Sequence, residues 1–522
     1  MLGRLMAASI FVACGTAQAE TANLFTGAAA VVGVTGGEVV GTDSPDGAVH
    51  AYRGIPFAAP PTGDLRWRPP LPPAGWQGIL AATHFAPACI QGLPPPGSFY
   101  QREFFHTTEP TSEDCLYLNV WTGARPGPER RPVMVWIYGG GFVQGSGSLD
   151  TFDGDALARR GVVLVTFNYR VGPFGFLALP ALSAESPQHV SGNYGLLDEI
   201  AALRWVHDNI AAFGGDPDRV TIFGQSAGAV STNVLMTSPL AKGLFQRAIV
   251  ESGSAFGFFD RRPTLAQAER DGADFVRTLG AGDPSSLRAL PAATLLAAAS
   301  HFRAWPVIDG WVLPQDPPRV FGRGAENVTA VMIGSNDDEG TALLPPQPAA
   351  AFAAGAHARF GDGADAYLRL YPTPDDAAVA NAADRALSDE LAAGSREQAH
   401  LLAAAGHGAW LYHFDRRAPG PDGGRYGAFH SAELVYVFGT QDSVSRPWTP
   451  LDRHLSEVMM DYWTNFAAHG DPNGPGLPAW PAYAPESDEA MELGERIGPF
   501  HVPAPDPASF FTSYLSHRFG GD

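Results

Sequence analysis

Among the side chains able to do covalent chemistry, one serine stands apart, because Gly224-Gln225-Ser226-Ala227-Gly228 fits the pattern Gly-x-Ser-x-Gly. In a chain with 60 glycines that pattern alone is weak. Its setting strengthens it: the apolar run Val220 to Phe223 precedes it and a helical run from Ala229 to Leu235 follows. Ser226 is thereby expected on the sharp strand-to-helix turn of a nucleophile elbow, where backbone strain exposes the hydroxyl and flanking glycines admit neighbouring chain. A hydroxyl is a poor nucleophile near neutral pH, so it needs a base, an acid to orient that base, and donors for the developing oxyanion. Tyr138-Gly139-Gly140-Gly141-Phe142 follows the apolar run Val133 to Tyr138, and its glycines allow backbone N–H groups to converge on one oxygen.

Positioning such groups requires a rigid frame. Apolar runs read as buried strands at Val133 to Tyr138, Val162 to Phe167, Val220 to Phe223, Ala248 to Glu251 and Val328 to Ile333. Between them, Leu196, Ile200, Leu203, Val206 and Ile210 recur at spacings of three and four, marking a helix over Leu196 to Phe213 that stops at Gly214-Gly215. Strands alternating with amphipathic helices predict the α/β class, with a mostly parallel sheet covered by helices on both faces. The Ala-rich stretches Pro263 to Ala304 and Pro345 to Leu402 read as helical cap insertions, and Pro60 to Pro73 and Pro94 to Pro96 as ordered surface loops. In an α/β-hydrolase fold the triad order is Ser, acid, His. The acid falls in Gly334-Ser335-Asn336-Asp337-Asp338-Glu339-Gly340, where residue types leave Asp337, Asp338 and Glu339 equivalent. Spacing likewise leaves His400, His413, His430, His454 and His469 open.

With 522 residues, 45% of them hydrophobic, the chain can bury a large core, and it reads as one elaborated domain over 20–522. Its charge is 34 − 54 = −20, which argues against nucleic acid or an anionic membrane as a partner. Residues 1–19 have the form of a secretory signal: Arg4, an apolar run from Leu5 to Ala13, and Ala17-Gln18-Ala19 as a cleavage site. The mature protein is therefore expected to be secreted or periplasmic, without a membrane-spanning segment. Cys14 leaves with the signal, so Cys89 and Cys115 remain and read as one disulfide in an oxidising compartment.

At the level of longer motifs the chain resembles the type B carboxylesterase family, which includes the cholinesterases. Phe213-Gly214-Gly215-Asp216-Pro217 leads into the elbow, and Glu113-Asp114-Cys115-Leu116-Tyr117-Leu118-Asn119-Val120 matches a second signature. Tyr52-Arg53-Gly54-Ile55-Pro56-Phe57, Asn168-Tyr169-Arg170-Val171-Gly172, Pro306-Val307-Ile308-Asp309-Gly310 and Tyr462-Trp463-Thr464-Asn465-Phe466-Ala467 match in order, so the resemblance spans about residues 30 to 500. It implies Glu339, the glutamate before Gly340, as the acid, and His430, which opens His430-Ser431-Ala432-Glu433-Leu434-Val435-Tyr436-Val437-Phe438-Gly439, as the base. It implies Gly140, Gly141 and Ala227 as oxyanion donors and Cys89–Cys115 as an N-terminal disulfide loop; His469 fits a structural turn. Two departures bear on substrate. Gln225 stands where the family commonly has Glu, and the Cys89–Cys115 loop holds Phe99, Tyr100, Phe104 and Phe105 but no Trp to hold a quaternary ammonium. Those aromatics either line an apolar gorge or pack the loop.

The expected activity is hydrolysis of small to medium apolar carboxylic esters through an acyl-enzyme on Ser226, with no metal or organic cofactor required. A lipase acting on long-chain aggregated esters is the second reading, and a noncatalytic binding protein on the same fold the third.

Overall fold

The computed structural model describes residues 29–104, 109–124, 127–259, 262–501 and 506–519. The expected signal segment, 1–19, and Phe105 lie outside them. The core is one eleven-stranded sheet. In chain order its strands are β1 (Thr42–Asp43), β2 (His50–Pro56), β3 (Tyr117–Thr122), β4 (Arg131–Ile137), β5 (Val163–Phe167), β6 (Gly215–Gln225), β7 (Arg247–Glu251), β8 (Ala330–Asn336), β9 (Gly408–Phe414), β10 (Glu489–Leu493) and β11 (Ile497–His501). In space they run β11-β10-β9-β8-β7-β6-β4-β5-β3-β2-β1. From β5 to β10 every pairing is parallel, and the antiparallel strands lie at the two margins. Parallel strands need covered faces, and every residue of β5 and β8 is buried.

The apolar runs read as strands are strands, with shifted ends. The run Val220 to Phe223 is the inner part of the longer β6, whose first residues join β4 only across a register irregularity between Gly215 and Val220. Polar Asp216, Pro217, Asp218 and Arg219 hide that first half from a hydrophobicity reading. The periodic helix is α1 (Tyr194–Asn209), tightening into a 3-10 turn over Ile210–Phe213 and stopping at Gly214, whose φ of 79° suits a residue without Cβ. Helix α2 (Ala227–Thr237) is buried along its whole length against β4, β6 and β7. Helix α4 (Pro450–His469) opens with a capping box between Thr449 and Asp452 and ends at Gly470, so His469 is the last residue of a helix rather than part of a turn.

The Ala-rich stretches are helical, and they differ in use. The first forms Leu265–Arg277, Pro284–Ala289 and Ala292–Ala298, which gather Phe275, Leu287 and Leu295 around Trp67 and Phe174 in a satellite core. The second ends in α3 (Asp376–Ala404), which packs on β8 and β9, so part of the expected cap is a sheet-covering helix. Its buried face carries Leu387, Leu391, Gln398 and Leu402. Cys89 and Cys115 form a disulfide with a Cα–Cα distance of 5.0 Å, both cysteines buried. Among the described residues no helix is long and apolar enough to cross a membrane.

Candidate active site

β6 ends at Gln225 and α2 starts at Ala227, so Ser226 alone turns the chain, at φ 58° and ψ −123°. That conformation is costly for a residue with a side chain and is held from outside. The Ser226 N–H donates to the Glu251 carbonyl on β7 at 2.9 Å, and the Ser226 carbonyl accepts from Val230 at 3.0 Å. The flanking glycines are sterically required: a Cβ on Gly228 would sit 1.9 Å from the Ile137 carbonyl oxygen.

The glycine loop after β4 lies beside this turn. Gly140 and Gly141 have φ of 112° and 64°, and a Cβ on Gly139 would fall 3.1 Å from Ser226 Cβ. Ala227 is the first residue of α2, where an amide has no intrahelical acceptor and the helix dipole favours negative charge. Phe142, itself at φ 61°, is buried and packs edge-on against Phe176 at 5.0 Å and Trp305 at 5.2 Å. Trp305 also stacks with Phe259 at 6.2 Å, so an aromatic wall stands behind the loop.

Glu339 and His430 come from separate segments and meet. His430 Nδ1 lies 2.5 Å from Glu339 Oε2, with both side chains buried. The second Glu339 oxygen accepts the Asn336 backbone N–H at 2.7 Å, and the Glu339 N–H donates to Ser388 Oγ on α3 at 2.9 Å. The neighbouring acids point elsewhere: Asp338 accepts the Ala428 N–H at 2.8 Å, and Asp337 faces His413 at 3.5 Å. His400 and His454 are exposed on helices. With Nδ1–H directed at Glu339, His430 Nε2 is the acceptor nitrogen, and Gln225 Nε2 donates to it at 3.2 Å. The Gln225 amide thus occupies the Nε2 lone pair of His430 in this structure.

A model of the carboxylesterase family matches residues 28–501. The chain belongs to the carboxylesterase family. It is 42% identical over 479 residues to fumonisin B1 esterase of Sphingopyxis macrogoltabida, covering 87% of this chain and 85% of that protein. Para-nitrobenzyl esterase of Bacillus subtilis (strain 168) is 37% identical over 88% of this chain and 94% of its own length. Acetylcholinesterase of Bungarus fasciatus is 35% identical over 88% of this chain and 82% of its own length. Two solved structures of PNB esterase superpose with TM-scores of 0.79 and 0.81 at 34% identity, over 92% of this chain and 99% of theirs. This carboxylesterase thus has the α/β-hydrolase fold and acts on carboxylic esters.

The loop aromatics of the carboxylesterase pack on the histidine segment. Phe99 lies 3.9 Å from Tyr426 and 4.8 Å from Phe429 between ring centroids, and the Tyr100 hydroxyl reaches the His430 carbonyl at 3.5 Å. Sequence reasoning passed over Gln91, two residues beyond Cys89. Its carboxamide donates to the Gly145 carbonyl and accepts the Gly145 N–H, both at 2.7 Å, and so ties the disulfide loop to the glycine loop. No spacing marks Gln91 in the sequence. Asn336, inside the acid segment, carries no sequence signal of its role either: its Nδ2 donates to the Phe429 carbonyl at 2.9 Å, joining the acid strand to the histidine segment.

Proposed function

We propose that this carboxylesterase cleaves small to medium apolar esters through Ser226, His430 and Glu339. Ser226 Oγ attacks the ester carbonyl while His430 Nε2 takes its proton and then returns it to the leaving alcohol. Glu339 holds the imidazole by Nδ1 and stabilises its charged form. The N–H groups of Gly140, Gly141 and Ala227 receive the oxyanion, and water activated by His430 releases the acid. The observation that carries this reading is a strained turn at Ser226 whose preceding residue, Gln225, lies 3.2 Å from His430 Nε2, while His430 Nδ1 lies 2.5 Å from the buried Glu339. The aromatic wall of Phe142, Trp305 and Phe259 supports an apolar acyl group. Export is proposed from residues 1–19 and is supported by the Cys89–Cys115 disulfide, a bond that persists in oxidising compartments.

The test is hydrolysis of p-nitrophenyl acetate, butyrate and palmitate by the mature protein and its Ser226→Ala variant, with fumonisin B1 assayed beside them. Short esters should turn over in the wild type and not in the variant. Palmitate preferred over butyrate points to the lipase reading, and equal rates in both proteins sink the assignment of Ser226.

A further inference from the structure

Behind the His430–Glu339 pair lie two more carboxyl groups that the proposed reaction does not use. Glu251 ends β7, directly across from Gln225 on β6, and Glu433 sits three residues after His430; both are fully buried. Each has one satisfied oxygen. Glu433 Oε2 accepts from Asn336 Nδ2 at 2.5 Å, and Glu251 Oε1 accepts from Trp463 Nε1 on α4 at 2.7 Å. Their other oxygens, Glu433 Oε1 and Glu251 Oε2, have no hydrogen-bond partner, nor does the buried Tyr412 hydroxyl of β9. A buried carboxylate oxygen without a donor is expensive, and two carboxylates offer each other only acceptors. Glu251 pairs with Gly334 of β8, so its side chain leaves the sheet on the same face as Asn336, two residues further on, whose amide holds Glu433. A proton kept by one of the two carboxyls would turn one of their oxygens into a donor for the other.

We propose that Glu251 and Glu433 are a proton-sharing pair that holds a single negative charge behind the triad and, through Asn336 and Glu339, stabilises the imidazolium formed on His430. The inference rests on the reading of Ser226, His430 and Glu339 given above. Asn336 is the physical link: its N–H donates to Glu339 Oε1 while its side chain donates to Glu433 Oε2. The titratable groups acting on the pair are Glu339 from the segment after β8, His430 from its own segment, Tyr412 from β9 and Tyr100 from the disulfide loop, and His430 is the one cation in that set. Burial, with the Glu339 charge, pushes the Glu433 carboxyl up to about 7, and burial with the Glu433 charge lifts Glu251 well above the carboxylate range. Two unprotonated carboxylates beside Glu339 would place three negative charges in one desolvated site, which favours retention of a proton. The pair passes no proton to substrate. The Ser226 proton goes to His430 Nε2, and the pair keeps its own throughout, so both glutamates are positioning residues.

The pH dependence of kcat/KM for p-nitrophenyl butyrate is compared in wild type, Glu251→Gln, Glu433→Gln, the double variant and Ser226→Ala. In either single variant a glutamine amide replaces the shared proton and the remaining carboxylate keeps the charge, so the acid limb stays close to that of the wild type. The double variant loses the charge: its acid limb moves to lower pH by about one unit and its alkaline plateau of kcat falls about ten-fold, with KM little changed. Two single-variant displacements that sum to the double's, or a double variant with a wild-type limb, overturn the pair. Infrared difference spectra of wild type against each single variant at neutral pH need neither turnover nor the double variant. Both single variants must lose the same protonated-carboxyl carbonyl band, and its survival in either overturns the proposal. Turnover retained by Ser226→Ala sinks the triad reading instead, which separates the two failures.

Discussion

Gln225 is the residue that most distinguishes this site chemically, since it puts a neutral amide where a carboxylate is common in the family the sequence resembles. Its Nε2 meets His430 Nε2 at 3.2 Å, on the side of the imidazole opposite Glu339. A carboxylate there would favour the imidazolium before substrate arrives, by direct charge attraction at hydrogen-bond distance. Gln225→Glu should therefore move the acid limb of kcat/KM to higher pH by about one unit and leave the alkaline plateau within about three-fold of wild type. A pH–rate profile with an unmoved acid limb would show that the side chain at 225 does not act on His430. Ser226 was legible as a residue because strand, turn and helix signals coincide around it. Glu339 and His430 were not separable from their neighbours by residue type. What distinguishes them is which of several similar side chains points inward, and that depends on long-range pairing: Asp338 is diverted by Ala428 and Asp337 by His413.

At the scale of elements, the glycine loop after β4 is held by a segment far away in sequence. Gln91 bonds both polar groups of Gly145 and also donates to the Cys89 carbonyl at 3.0 Å, so disulfide, Gln91 and glycine loop form one unit. Gln91→Ala removes those bonds and leaves buried backbone groups unpaired. If Gly140 and Gly141 are the oxyanion donors as proposed, their misplacement should lower kcat by roughly ten- to a hundred-fold with a smaller change in KM, measured by steady-state kinetics on p-nitrophenyl butyrate. A change confined to KM would instead place the effect on substrate binding. The same loop leans on the histidine segment through Phe99 and Tyr100, so Cys115→Ser should weaken both sides of the site, reducing kcat/KM and thermal stability together. Central strands were legible because parallel strands buried on both faces are continuously apolar. The polar first half of β6, the sheet-covering role of α3 and the reach of Gln91 were not, because each is fixed by tertiary pairing and leaves no local period.

For the whole molecule the sum of buried carboxyls sets a direction for stability. Glu199 on α1 is fully buried, with one oxygen accepting from Ser231 at 2.7 Å and the other without a partner. Burial pushes it up to about 8 from an ordinary value of 4.5, and burial also raises Asp384 to about 6 from 3.8. A carboxyl raised in the folded state holds a proton that the unfolded chain gives up. Its contribution is complete below the unfolded value and is lost as pH climbs through the folded one. Glu199 alone places that window between 4.5 and about 8. Asp452 runs the other way: against burial, the Arg416 guanidinium and Thr449 hold it down to about 2, and its stabilisation is lost only as pH falls from 3.8 through that value. The net charge of −20 at neutral pH adds self-repulsion of the same sign as the Glu199 effect. The thermal midpoint, followed by calorimetry, should fall as pH rises from about 5 to about 8, by at least about 2 °C, the scale of 1 kcal/mol in a large domain. Glu199→Gln keeps a neutral side chain of the same shape and should flatten that slope. A wild-type midpoint that is level or rising across the range would mean that these carboxyls ionise in place, with the fold or internal water supplying donors to them.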